Sequence, residues 1–375
     1  MSNVMRQIIL SVLLPTLLPL GALAQDFEVD GLLYNKTSDT TVEVTTRSTS
    51  ETTRSIYEGD IVVPETITAD GKDYQVTGVG ERAFSSSEVT SVALPNCVKY
   101  IAGMAFSGAG IKEIKLPAQL EKIDEMAFSA CKLESVALPE GLLSIGYQAF
   151  GGNPLKEVVI PSTVKEMGVS PFYYCGYSYK DYKSYGLATL KVAEGNPYFD
   201  SRNDCNAIIE TATGKLIQAT ATTMIPEDVE TIGSCAFAGL RGMETLYLPA
   251  SVKTLEMHCL DGCLDLTDLY MACQEVPANK GPLCELNGLR FDKIVVHVPT
   301  GCKDMYAANA TWSLMKDIVE FDPAQGNPTA IAAPAAGVKD AQQRFTIDGK
   351  QTHATRRGIA IVRQKDGSTR KILVR

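Results

Sequence analysis

Histidine is nearly missing from this chain. Three residues of 375, His258, His297 and His353, leave little for acid–base catalysis, and nothing in the sequence brings two of them together. They read as structural or surface side chains. No H-E-x-x-H, G-x-S-x-G, phosphate-binding loop or zinc-finger cysteine spacing occurs. The ten cysteines include no C-x-x-C, which argues against a redox centre, and none precedes Cys97, so none is placed to carry a lipid anchor. Asp200, Asn203 and Asp204 make an oxygen-rich turn without the glycine and terminal glutamate of a calcium loop, and it reads as a turn that satisfies its own backbone. No metal or cofactor is expected, and the chain reads as non-catalytic. Paired carboxylates of a hydrolase depend on separation in space and leave no mark in sequence, so a surface hydrolase stays open as an alternative.

Long apolar runs are missing too. Ile8 to Leu20 is a short one behind the basic Arg6, broken by Pro15 and Pro19, and Ala22-Leu23-Ala24 has the form of a cleavage site. Residues 1–24 read as a Sec-type signal peptide, and no later run reaches the ~20 residues of a membrane helix. The mature protein is expected to be exported and soluble. Net charge is −9, unevenly spread: residues 338–375 carry +7 and the leader +1, which leaves −17 for residues 25–337. An acidic body argues against nucleic acid as a partner.

What the chain does have is a beat of 22 residues. Phe84, Phe106, Phe128, Phe150 and Phe172 keep it, the first four each behind an alanine. Leu94-Pro95, Leu116-Pro117, Leu138-Pro139 and Ile160-Pro161 keep the same interval, as do Ile101, Ile123, Ile145 and Met167. Such a period marks a leucine-rich-repeat solenoid, whose units are too small to bury an apolar face alone and must stack. In Leu133 to Pro139 the apolar residues alternate, which predicts a strand ended by proline. The outward positions of these strands carry Lys112, Glu113, Lys115, Glu134, Lys156, Glu157, Glu244, Tyr247, Asp268 and Tyr270. Counting Ile61–Pro64 through Val296–Pro299 predicts about ten strands, a curved sheet about 50 Å long.

Ahead of the repeats, Phe27, Val29, Val42, Val44, Ile61 and Val63 alternate with polar residues. Turn signals stand at Asp30-Gly31, Gly59-Asp60 and Asp70-Gly71, so residues 25–76 read as short antiparallel strands capping the open end. The beat pauses for 65 residues between Phe172 and Phe237. Leu187 to Val192 still fits a strand there, and Asn206 to Ala219 a hairpin about Thr213-Gly214. Two further repeats follow at Met243–Pro249 and Leu266–Met271, and the last strand is expected over Lys293 to Pro299. Met305 to Val319 has helical spacing and is expected to cap the C-terminal end. Pro323 to Gly337 reads as a linker, and three short β signals follow it. The expected layout is signal peptide 1–24, N-terminal β cap 25–76, repeat solenoid with its C-terminal cap 77–322, linker 323–337 and basic β tail 338–375.

Cys131, Cys175 and Cys263 each fall three residues after the repeat's Phe (or Leu260), where Ser87, Ala109, Asn153 and Leu240 stand in other repeats. They read as buried structural residues. Cys131 and Cys175, two repeats and about 10 Å apart, should not pair, whereas Cys273 and Cys284 flank an irregular loop and could.

The stretch IKEIKLPAQLEKIDEMAFSAC (Ile111 to Cys131) resembles the BspA-like leucine-rich repeats. The interruption GNPYFDSRNDCNAIIETATGKLI (Gly195 to Ile217) and the ending VHVPTGCKDMYAANATWSLMKDIVEF (Val296 to Phe321) resemble that family's recurring insertion and terminal cap. The resemblance covers residues 60 to 321. It implies a β-rich α/β solenoid and an exported surface protein, some members being adhesins that bind matrix proteins or other cells. The tail FTIDGKQ…RRGIAIVRQKDGSTRKILVR (Phe345 to Arg375) resembles the later part of the C-terminal sorting domains of type IX secretion cargo in Bacteroidota. That implies a cell-surface or extracellular destination, or the periplasm if the tail is not a working signal.

One stretch departs from the repeat. Phe172 to Leu187 is ten residues longer than the equivalent Phe150 to Leu155 and brings Tyr173, Tyr174, Tyr177, Tyr179, Tyr182 and Tyr185 together. Tyrosine gives large contact area at low entropic cost, as binding loops require. Two readings stand: the rings bind a ligand, or they fold back to cover an opening between repeats. Tyr247 and Tyr270 occupy the same strand position in neighbouring repeats, are expected to stack side by side, and make a second candidate surface. The leading expectation is recognition of an extracellular protein or glycan through the concave sheet and the tyrosine loop, with a structural scaffold as the rival.

Overall fold

The computed structural model describes residues 25–46, 55–178, 183–184, 186–284 and 288–328, and four strands between 344 and 374. The leader over residues 1–24 lies outside them. Residues up to Thr329 form one compact unit, and Ala330–Arg375 a second.

The chain begins with an antiparallel meander, Phe27–Val29, Leu32–Lys36 and Thr41–Thr45. Asp30 and Gly31 turn it with φ of 49° and 80°, and Asp70 and Gly71 turn Thr66–Ala69 into Lys72–Val79 with 52° and 74°. Both pairs are of the kind that matches a two-residue turn to strand twist. Gly59-Asp60 is different. It lies inside the strand Glu58–Val62, which pairs in parallel with Glu88–Ala93, and the register shifts at that point. Gly59, at φ 71°, supplies the left-handed residue of a bulge rather than a turn. Thr41–Thr45 also pairs in parallel with Lys72–Val79, so the N-terminal strands are not all antiparallel.

Each repeat then contributes a two-residue strand. Tyr100–Ile101, Lys122–Ile123, Ser144–Ile145 and Glu166–Met167 stack in parallel, with Ile101, Ile123, Ile145 and Met167 in register. Beside them the phenylalanines make a column. Ring centroids from Phe84 to Phe172 are 5.0, 5.0, 5.3 and 5.6 Å apart, with planes within 14° of parallel. The amides of Phe84, Phe106 and Phe128 donate to the carbonyls of Ala105, Ala127 and Ala149, each at 2.7 Å. These alanines are wholly buried, which explains the Ala-Phe pair: only a small side chain fits where backbones of successive repeats meet. The residues two before and two after each ring take positive φ, among them Met104, Met126, Ala130 and Tyr174.

The position three after the ring ties repeats together. The thiols of Cys131, Cys175 and Cys263 donate to the carbonyls of Phe106, Phe150 and Phe237 at 3.0, 3.2 and 3.1 Å. The Asn153 amide does the same for Phe128 at 2.7 Å. All four side chains are buried, so each satisfies a carbonyl that water cannot reach. Burial pushes the Cys131, Cys175 and Cys263 thiols up to about 12, against a smaller opposing effect of backbone hydrogen bonds. Cys273 and Cys284, which could have bridged, are both thiols. Cys273 donates to the Pro249 carbonyl at 3.4 Å instead.

The longer strands do not form the single ten-stranded sheet expected. Glu157–Ile160 pairs only with Thr189–Val192, while Thr245–Leu248, Asp268–Met271, Val295–Pro299 and Asp317–Phe321 make a separate parallel sheet of four. Between Glu88–Ala93 and Glu157–Ile160, residues 111–116 and 133–138 keep the same inward and outward phases without strand pairing. The expected strand at Leu133 to Pro139 is therefore not formed as a strand, although the Glu134 amide still donates to the Lys112 carbonyl of the run before it at 3.1 Å.

The pause is filled by the expected hairpin, Ile208–Glu210 against Lys215–Gln218. Ile208 belongs to the apolar cluster of the first repeats and its neighbour Ile209 to that of the later ones, so one strand seals both. The short-strand ladder stops at Met167 and resumes where Lys215–Gln218 meets Thr231–Ile232. At this break the Phe172 amide donates to the Gln218 side-chain oxygen at 3.4 Å, in place of the backbone carbonyl of the next repeat used by the earlier rings.

At the C-terminal end the expected helix over Met305 to Val319 shrinks to Lys303–Ala307, followed by a 3₁₀ turn at Trp312–Leu314. The Asn309 side chain accepts from the amides of Thr311 and Trp312 at 3.0 and 3.4 Å, offering the backbone an alternative to further helix. The chain then adds the strand Asp317–Phe321 beyond the one expected to be last. Tyr306 and Trp312 are fully buried, and the Tyr306 hydroxyl donates to the Cys273 carbonyl at 3.0 Å. In the second unit, Arg344–Phe345, Gln351–Thr352, Gly358–Arg363 and Thr369–Val374 form an antiparallel sheet, one strand more than the three signals in the sequence.

Candidate binding surfaces

The tyrosine-rich segment leaves the repeat at Cys175 and returns at Gly186, where the Gly186 amide donates to the Cys175 carbonyl at 3.0 Å. Within it, Tyr177–Ser178 pairs antiparallel with Lys183–Ser184. The segment is therefore an excursion closed at its base, inserted without disturbing the strand at Thr189–Val192. Tyr179, Tyr182 and Tyr185 lie outside the described residues, as does the Tyr177 side chain.

Tyr173 and Tyr174 are half-buried, with ring centroids 4.5 Å apart. The Tyr173 hydroxyl donates to Asp261 at 3.4 Å, across 88 residues of sequence. Burial first, then the neighbouring Tyr174 and Asp261, push its phenol well above the ordinary range. Tyr174 reaches further. A Cβ on Gly239 would come within 2.8 Å of its ring, and one on Gly262 within 2.3 Å of its hydroxyl. Tyr174, Gly239 and Gly262 hold the same place in their repeats, two after the ring position, so the phenol lies along the next two members of its own column.

Tyr247 and Tyr270 are in register on paired strands, as the spacing predicts. Tyr247 is nevertheless buried, at 7% exposure, so it is not an outward position. Burial, with Glu227 and Cys273 nearby, raises its phenol pKa. The parallel stack of Tyr270 is with His297, at 3.9 Å and 10°, and Phe321 meets it edge-on at 5.3 Å. The His297 ring in turn lies 2.9 Å from Asp268. Burial works against ionisation of Asp268, but hydrogen bonds from His297 and Thr267 outweigh it and hold the carboxyl below its ordinary range. The cluster has no nucleophile on its histidine, and it reads as an aromatic sandwich finishing the last strands.

A third surface gathers three of the expected outward positions, Lys112, Glu134 and Lys156. Lys112, Lys132, Glu134, Pro154 and Lys156 line an open concavity of about 580 Å³, beside the runs where strand pairing lapses. Lys112, Glu134 and Lys156 share one register position at the 22-residue interval, which was legible; that Lys132 joins them was not. The Asp200 turn satisfies itself. Its carboxylate accepts from the Arg202 backbone amide at 3.0 Å, from the Arg202 guanidinium at 2.8 and 2.6 Å, and from Thr211 at 2.9 Å. Among the described residues no cluster of three or more metal-ligating side chains occurs, and no helix is long and apolar enough to cross a membrane.

Six copies of the BspA type leucine rich repeat region match the chain, over residues 76–185 and 217–278. A leucine-rich repeat protein from Bacteroides ovatus is similar in structure, with 22% identity over 79% of this chain and 76% of that one and a TM-score of 0.50. The pneumococcal vaccine antigen PcpA gives 18% identity over 79% and 98%, with a TM-score of 0.46. A leucine rich cell surface protein from Faecalibacterium prausnitzii gives 18% over 78% and 94%, at 0.42. The likeness to the Bacteroides ovatus protein is one of fold. No curated protein matches the chain in sequence.

Proposed function

From a chain whose repeats are of the BspA leucine-rich type, we propose an exported, non-catalytic recognition protein. It presents a stacked solenoid surface to an extracellular protein or glycan, in the manner of an adhesin. Residues 1–24 direct export, 25–76 cap the first repeat, 77–322 hold the solenoid and its C-terminal end, 323–337 link, and 338–375 act as a sorting module. The observation that carries the reading is the excursion between Cys175 and Gly186. It adds ten residues to a repeat whose stacking does not need them, closes on itself through the Gly186 amide, and is rich in tyrosine. The ligand-binding tyrosines of the excursion are Tyr177, Tyr179, Tyr182 and Tyr185, with Tyr270 as a separate contact. Tyr173 and Tyr174 pack against Asp261, Gly239 and Gly262 of later repeats, and Tyr247 is buried within the later sheet.

The test is binding of the full chain to a panel of matrix proteins and glycans, repeated after residues 177–185 are replaced by a glycine pair. The expected result is a panel member whose binding is lost in the excised variant while the thermal transition is kept. A scaffold reading is favoured by Tyr173 and Tyr174, which face neighbouring repeats rather than solvent. Loss of the cooperative transition on excision, or no binding to any panel member, would replace recognition with that role.

A further inference from the structure

The lysine-lined concavity sits on a strongly acidic body, and its cations differ from the lysines that are held in ion pairs. Lys99, Lys122, Lys191, Lys215 and Lys253 each pair with a carboxylate between 2.7 and 3.8 Å away. Lys112, Lys132 and Lys156 are exposed, and among the described residues none of them has an ion-pair or side-chain hydrogen-bond partner. Three lysines and one carboxylate, Glu134, line one hollow, a local excess of positive charge in a protein of net charge −9 that attracts an anion. The hollow lies beside the two consecutive runs, 111–116 and 133–138, that leave strand pairing.

The pattern within the hollow narrows the ligand. Lys112, Glu134 and Lys156 form one column, cation, carboxylate, cation. Phe106, Phe128 and Phe150 mark the repeat spacing at 5.0 and 5.3 Å, so the two lysines stand about 10 Å apart along the stack. A continuous polyanion would meet Glu134 unfavourably. A polysaccharide with an acid group on every second sugar puts its anions on the two lysines and its hydroxyls, which are donors, on the glutamate between them. One sugar ring advances by about one strand spacing. Pro154 is the only apolar residue lining the hollow, so an acidic peptide finds no pocket for an anchoring side chain. We propose that Lys112, Lys132 and Lys156 bind an extracellular polysaccharide carrying carboxylate or sulfate groups on alternate sugars, with Glu134 accepting from the intervening hydroxyls.

The inference rests on the recognition reading but on a different surface, so the two fail separately. The full chain is tested against hyaluronan, unsulfated chondroitin, neutral dextran and polyglutamate. Hyaluronan or unsulfated chondroitin, each with a carboxylate on every second sugar, is expected to bind with an affinity that falls as salt rises, and dextran not to bind. The combined variant Lys112→Gln, Lys132→Gln, Lys156→Gln should weaken that binding by about tenfold or more, as removal of charge contacts does. Lys253→Gln, which removes an exposed lysine already paired with Glu230, should leave it unchanged. Excision of residues 177–185 should also leave it unchanged. Absence of binding to both polysaccharides, equal binding by the combined variant, or polyglutamate binding as tightly as either polysaccharide would overturn the proposal. A panel member lost on excision would still sustain the recognition reading.

Discussion

Tyr174 occupies the space that a side chain on Gly262 would need, its hydroxyl within 2.3 Å of where that Cβ would stand. Gly262 also takes φ 71°, so alanine there meets both a clash and a left-handed backbone. Gly262→Ala is expected to cost about 2–4 kcal/mol, the sum of overpacking and backbone strain. At Gly152, in the same column, an added Cβ would meet Ala130 no closer than 3.6 Å, and Gly152→Ala should cost only about 1 kcal/mol. Urea unfolding of both variants checks the difference. Adding Tyr174→Ala to Gly262→Ala should recover part of the loss, and the absence of any recovery would show that the ring is not the obstacle.

Removing a rung from the aromatic column should be severe. Phe128 is fully buried between rings 5.0 and 5.3 Å away, so Phe128→Ala removes both contacts and leaves a cavity. A loss of about 3–5 kcal/mol is expected, read from the shift in urea midpoint. A loss below 1 kcal/mol would mean that the repeats close up over the gap.

The break between the two runs of repeats depends on one buried amide. Gln218 is 2% exposed and supplies the acceptor for the Phe172 amide. Gln218→Met keeps the volume and removes the acceptor, and should cost about 1–3 kcal/mol, the penalty for leaving a buried amide unsatisfied. Thermal unfolding would measure it. A variant as stable as the parent would mean that the weak, 3.4 Å contact carries nothing.

The buried thiols predict an alkaline limit. Cys131, Cys175 and Cys263 have folded values near 12 against an ordinary value of 9.0, so the folded state holds protons that the unfolded state has released. A raised folded pKa gives stability that is complete below the unfolded value and lost as pH climbs from 9 toward 12. Each thiol contributes a slope of about 1.4 kcal/mol per pH unit across that window. Urea midpoints at rising pH should therefore be level below the thiol range and fall above it. The combined variant Cys131→Ser, Cys175→Ser, Cys263→Ser should flatten the fall, since serine at the equivalent Ser87 still donates to a carbonyl, that of Phe84 at 2.7 Å.

Much of this was legible because the repeat is a statement about contact. A residue that recurs every 22 positions meets its own likeness, and the Phe, Ile and Cys columns behave so. Where strand pairing lapses, the pattern gives no warning: Ile111 and Ile114 hold the same phases as Val89 and Val92, yet only the latter lie in a paired strand. Pairing is decided by how neighbouring backbones approach, which side-chain phase does not record. Tyr247 misled for a similar reason, since alternation marks it outward while nearby chain covers it. Met305 to Val319 shows apolar residues at helical intervals, but Asn309 interrupts with its own hydrogen bonds. At the candidate surfaces, six tyrosines in one segment were plain, whereas the concavity drew Lys132 from outside the strand column.

The phenylalanine column has a further consequence, for how the chain keeps count. Phe84, Phe106, Phe128 and Phe150 are nearly interchangeable, each with an alanine before it and a near-parallel ring 5.0–5.6 Å further along the column. A folding chain that skipped one rung would bury almost the same residues against almost the same neighbours. Only the ends differ. Tyr57 abuts Phe84 at a 43° tilt and ties its hydroxyl to Thr45 and Leu33, and at the other end the Phe172 amide meets the Gln218 side chain instead of a repeat carbonyl. These two unlike termini are what make the number of rungs unambiguous, in the way that bookends fix the length of a shelf of identical volumes.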